Sequence, residues 1–116
     1  MGHTTTLIAD HKGFSRPRVH GDEYVVDAQI NVQAYTTNGE VVLASELSLA
    51  TVTAVMITGV ENGVSKAAVI EIDSSGDYAS SSSFQIFVTD LDGTNGQASG
   101  DNDVGMIRVR AYGQIA

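Results

Sequence analysis

From Tyr24 to Ala34 the chain alternates: Tyr24, Val26, Ala28, Ile30, Val32 and Ala34 share one phase, and Asp27, Gln29, Asn31 and Gln33 share the other. Successive side chains of a strand point to opposite faces, so this spacing predicts a long strand with one buried face. The same period recurs downstream. Val41-Val42-Leu43 is a short apolar strand, and Thr51 to Val60 is dense in β-branched residues, which favour strands. Ala67 to Asp73 sets Ala68, Ile70 and Ile72 against Glu71 and Asp73. Phe84 to Val88 follows a serine run, and Met106 to Tyr112 sets Ile107, Val109 and Ala111 against Arg108 and Arg110. Asn38-Gly39 and Asn62-Gly63 read as turns of antiparallel hairpins. Only Ala44 to Leu49 offers a helical turn, too short to serve as a crossover between parallel strands. The expectation is an all-β, antiparallel sandwich or barrel.

Residues 1–22 break this pattern and are expected to form an extended basic N-terminal arm, leaving 23–116 as the β-sandwich domain. The first twenty residues hold Lys12, Arg16 and Arg18 against Asp10 alone, together with all three histidines and the single proline, Pro17. Stretched out, such an arm reaches roughly 70 Å, enough to cross onto a neighbouring molecule. It contains no apolar stretch of signal-peptide length, and no later run approaches a membrane span, so a soluble, non-secreted domain is expected.

The formal charge of −8 over 116 residues opposes binding to nucleic acid or to an anionic membrane. Cysteine and tryptophan are absent and aromatic residues make up 6%, which removes thiolate chemistry and argues against base or sugar stacking. His3, His11 and His20 lack the close pairing of a zinc site and read as solvated side chains. The Gly/Asp/Asn-rich loop 90–105 offers oxygen donors (Asp90, Asp92, Asn95, Asp101, Asp103) but does not fit the EF-hand pattern, and ordinary β-turns select the same residues. Glu71 and Asp73 stand about 7 Å apart on one flat strand face, as a solvated pair would. Gly63-Val64-Ser65-Lys66-Ala67 lacks the second glycine of a nucleophile elbow, and no histidine follows residue 20 to act as its base. No glycine-rich phosphate loop occurs. Neither an enzyme, nor a metal, nor a cofactor is expected.

Three stretches carry a resemblance. Gly39-Glu40-Val41-Val42 with Glu46-Leu47-Ser48-Leu49-Ala50-Thr51-Val52-Thr53-Ala54-Val55, the Ser75-Gly76-Asp77-Tyr78 turn with the Ser83 to Val88 strand, and Ile107-Arg108-Val109-Arg110-Ala111-Tyr112-Gly113 come in an order similar to small capsid decoration (cement) proteins of tailed bacteriophages. The resemblance spans roughly residues 24–113. It implies a jelly-roll-like sandwich, assembled as a homotrimer on the outer surface of the virion capsid, where it bridges major capsid protein subunits. In that setting Lys12, Arg16 and Arg18 are the expected capsid-binding residues, and Arg108 and Arg110 are expected at the subunit interface. Other expectations kept open are a head–tail or tail accessory β-sandwich and a carbohydrate- or calcium-binding module.

Overall fold

Alternation fixes which residues face inward, and pairing then fixes where each strand lies. The computed structural model describes residues 2–9, 12–36, 39–63, 65–72, 81–91 and 103–115, with His20 described by its backbone only. Among them are eight strands: β1 (Gly2–Leu7), β2 (Arg18–His20), β3 (Glu23–Ala34), β4 (Glu40–Leu43), β5 (Thr51–Val60), β6 (Lys66–Glu71), β7 (Ser83–Asp90) and β8 (Gly105–Gln114). A 3-10 helix, Ala44–Leu47, occupies the expected helical turn, and Ser48 ends it in the left-handed conformation at φ 62°. All pairings are antiparallel. One sheet runs β1-β3-β8-β5, with β2 also beside β3; the other runs β4-β7-β6. The two antiparallel sheets are compatible with a β-sandwich.

The inward phases meet in one core. Val26, Ala28, Ile30 and Val32 of β3 and Ile107, Val109 and Ala111 of β8 lie in one buried cluster with Val42 of β4 and Phe84, Ile86 and Val88 of β7. Leu47 and Leu49 belong to the same cluster. Tyr35, fully buried just beyond β3, accepts a hydrogen bond from the Val88 amide at 3.2 Å and so joins the two sheets.

Two sequence expectations are corrected. Asn38-Gly39 and Asn62-Gly63 do not close hairpins: β3 and β4 lie in different sheets, as do β5 and β6. A tight turn reverses the chain, but partner choice follows burial of the apolar faces, and both connections pass from one sheet to the other. The second correction concerns the N-terminal segment. Gly2–Leu7 is an edge strand paired with β3 from Gly2↔Ala34 to Leu7↔Ala28, and Arg18–His20 pairs with Glu23–Val25. Leu7 packs against the core, while the threonines of β1 give little hydropathy contrast to announce the strand. Of the described residues in the segment, Ile8, Ala9, Lys12 to Pro17, Gly21 and Asp22 lie outside any strand.

β1 is also fastened by side chains. Its inward His3 bonds Glu40 of β4 through Nδ1, and its Nε2 lies 2.8 Å from Glu46 Oε1. Thr5 Oγ1 donates to the same Glu46 oxygen at 2.6 Å. Glu40 is fully buried, in phase with Val42, and also accepts the Thr36 amide at 3.0 Å. Glu46 Oε2 accepts the Leu43 amide at 3.0 Å at the start of the 3-10 helix.

Close backbone approach explains one glycine. A Cβ on Gly113 would sit 1.9 Å from the Thr51 carbonyl oxygen, next to the β5–β8 irregularity at Val52/Ala54. Gly113→Ala should therefore lower stability by about 1–3 kcal/mol or more in urea unfolding. Gly59→Ala, whose Cβ would meet nothing nearer than 3.9 Å, should stay close to the parent.

Candidate functional site

The outer face of the larger sheet collects three of the six lysines and arginines, Arg18, Arg108 and Arg110. On β8, Met106, Arg108 and Arg110 alternate outward against the buried Ile107, Val109 and Ala111. Register places Arg110 opposite Asp27 of β3 and Met56 of β5, and Arg108 opposite Gln29 and Gly59. β2 adds Arg18 beside the same Asp27.

Asp27 is the anchor of this face. Arg110 grips it with two bonds, Nε to Oδ1 at 2.8 Å and a terminal nitrogen to Oδ2 at 3.0 Å, and Arg18 reaches Oδ2 at 3.4 Å. The Arg110 hydrogen bonds are the main cause of a lowered Asp27 pKa; partial burial opposes them, and the two guanidinium charges add to them. The same pairing raises Arg110 further above its usual value. Arg110 is thus already satisfied within its own chain. The Arg108 side chain, by contrast, has no hydrogen bond or ion pair among the described residues.

Two shallow grooves flank Arg108. The larger, about 300 Å³, is lined by Gln29, Thr58, Gly59, Val60, Glu61, Met106 and Arg108. The other, about 260 Å³, lies among Ile8, Asp27, Thr58, Arg108 and Arg110. With no side chain on Gly59, the guanidinium stem stands open on the β5 side. Met56 and Met106 remain substantially exposed on this face, supplying flexible thioethers that adapt to a partner's contour. A guanidinium, an amide, a hydroxyl and two thioethers on an open sheet suit contact with another protein's carboxylates and apolar side chains.

The other expected residues fall elsewhere. Lys12 and Arg16 lie on the exposed Lys12–Pro17 stretch, where the Arg16 guanidinium sits 4.3 Å above the Phe14 ring centroid. Glu71 is on β6 opposite Gln85, while its intended partner Asp73 lies outside the described residues. In the 90–105 loop, Asp90 pairs with Lys66 and Asp103 accepts the Gly105 amide at 3.0 Å; Asp92, Asn95 and Asp101 lie outside the described residues. Among the described residues no three His, Asp or Glu side chains converge on a metal position. His3 is not solvated: its side chain is 11% exposed and held between two glutamates. His11 and the His20 side chain lie outside the described residues. Glu40 went unread as a buried group, although its phase with Val42 is visible in the sequence.

Comparison of the chain with protein-family models, curated proteins and solved structures gave no match.

The Asp27 pairing has a defined pH signature. A carboxylate whose folded pKa is depressed contributes stability that is present above its unfolded value near 3.8 and is lost as pH falls through the folded value. Because the group is partly solvated, Asp27→Asn should cost about 0.5–1 kcal/mol at neutral pH. In thermal melts the gap between parent and variant should narrow as pH falls below 3.8 and close as the lowered Asp27 value is passed.

Proposed function

We propose that the chain is a structural protein that binds other proteins through its surfaces, in the role of a head decoration (cement) protein of a tailed bacteriophage. The observation that carries this reading is the open face around Arg108, where unpaired positive charge and exposed methionines gather in a chain of net charge −8. Such a face offers contact area and charge complementarity. Nothing on it pairs a nucleophile with a general base among the described residues, and its grooves are shallow. The capsid setting rests on the sequence resemblance.

In this reading the sandwich is jelly-roll-like and associates as a homotrimer on the outer surface of the virion, bridging major capsid protein subunits. Lys12, Arg16 and Arg18 meet the shell, and Arg108 serves the subunit contact. Arg110 acts indirectly, holding Asp27 and flattening the face on which Arg108 stands. Symmetry multiplies modest contacts into firm attachment, so no single deep pocket is needed.

Cosedimentation with heads of the phage that encodes the chain tests the proposal. The purified protein should pellet with heads, and joint replacement of Lys12, Arg16 and Arg18 by alanine should weaken binding about tenfold or more, with a matching loss in high salt. Arg108→Ala should lower the mass found by light scattering at fixed concentration. A chain that leaves the heads bare overturns the capsid role.

A further inference from the structure

Both ring nitrogens of His3 face carboxylate oxygens: Nδ1 meets Glu40 and Nε2 meets Glu46 at 2.8 Å. A neutral imidazole carries one N–H and one bare lone pair, so it can donate to only one of these acceptors. The remaining contact would set a lone pair against a carboxylate. Only the imidazolium, with two donors, satisfies both at once. The carboxylates are in turn held as anions by other donors, the Thr36 amide on Glu40 and Thr5 Oγ1 with the Leu43 amide on Glu46.

The three groups belong to different elements. His3 lies on edge strand β1 of the larger sheet, Glu40 on β4 of the smaller sheet, and Glu46 in the 3-10 helix that follows it. Among the described residues, apart from its ladder with β3 and the packing of Leu7, β1 is fastened to the rest of the fold by side-chain bonds from His3 and Thr5. We propose that His3 is a protonation latch: as the imidazolium it ties β1 to Glu40 of the opposite sheet and to Glu46 of the 3-10 helix, and loss of its proton gives up one of these two bonds and loosens β1.

Among the described residues, the titratable and charged groups facing the latch are Glu40, Glu46 and the Tyr35 phenol near Glu40. Burial pulls the His3 imidazole down, but its hydrogen bonds to Glu40 and Glu46 and their charges outweigh burial and hold it above the usual value of 6.5. Burial pushes both glutamates up, and the bonds from His3 and from their hydroxyl and amide donors bring them below 4.5. For His3 the docked strand binds the proton more tightly than the freed one. Docking is therefore fully favoured below 6.5 and weakens as pH rises through the raised value. For the glutamates docking is favoured above 4.5 and weakens as pH falls through their lowered values. The latch holds best in the mildly acidic range between.

Amide hydrogen exchange on the intact chain, corrected for intrinsic rates, provides the test. Between about pH 6 and about pH 9, protection of the β1 amides bonded to β3 should fall about tenfold or more, while Ile107 and Val109 of β8 keep theirs. His3→Gln should show the weakened β1 protection at both pH values. Glu46→Gln, which changes the more exposed carboxylate and spares Glu40, should reduce the response by half or more on a logarithmic scale. Unchanged β1 protection in the parent, loss in β1 and β8 together, or a full response surviving in His3→Gln would each overturn the latch.

Discussion

Antiparallel pairing of β3 with β8 places everything else. The ladder from Tyr24↔Gly113 to Val32↔Gly105 aligns Val26, Ala28, Ile30 and Val32 with Ala111, Val109, Ile107 and Gly105 on one face. That face is apolar and must be covered, because exposed apolar area costs about 25 cal/mol per Å². The smaller sheet covers it with Phe84, Ile86, Val88 and Val42. Slipping β8 by one residue against β3 would turn its side chains over, sending Arg108 and Arg110 into the core and Ile107 and Val109 into solvent. The outer polar face and the inner packed face are therefore two consequences of one register.

Much of this was legible in the sequence because strands with one buried face write their period directly into residue order. β3 and β8 are read from alternation, and β5 from β-branched density. β1 was not, since Gly2-His3-Thr4-Thr5-Thr6 has almost no hydropathy contrast and its inward phase includes a histidine and a threonine. Sheet membership was hidden for a different reason. Glycine at a turn permits positive φ, as at Gly39 with φ 121°, but does not say whether the next strand pairs with the last or crosses to the other layer. On the outer face, the i, i+2 spacing of Arg108 and Arg110 gave their shared direction. It could not separate the arginine already engaged by Asp27 from the one without a partner.

Charge is used in three distinct ways. On the outer face Asp27 gathers two guanidinium groups and leaves Arg108 available. At the edge of the core, two glutamates enclose one imidazole, and Glu40 is buried completely because donors meet it there. Across β6 and β7, Lys66 and Asp90 close a register pair. The first and last sit partly in water and contribute little stability. The buried one is different: removing one partner would strand an ion in the core, which costs about 3–5 kcal/mol.

The position of β8 also governs how such a chain comes to be folded. It is the central strand of the larger sheet, flanked by β3 and β5, yet it follows every other described strand in sequence. A nascent polypeptide emerging from the ribosome therefore carries β3 and β5 with neither bonded to the other until Gly105–Gln114 arrives to join them. Contacts of such long sequence separation slow folding, and the waiting strands expose unpaired edges in the interval. Synthesis must run ahead of assembly, so the larger sheet closes from its last-made strand.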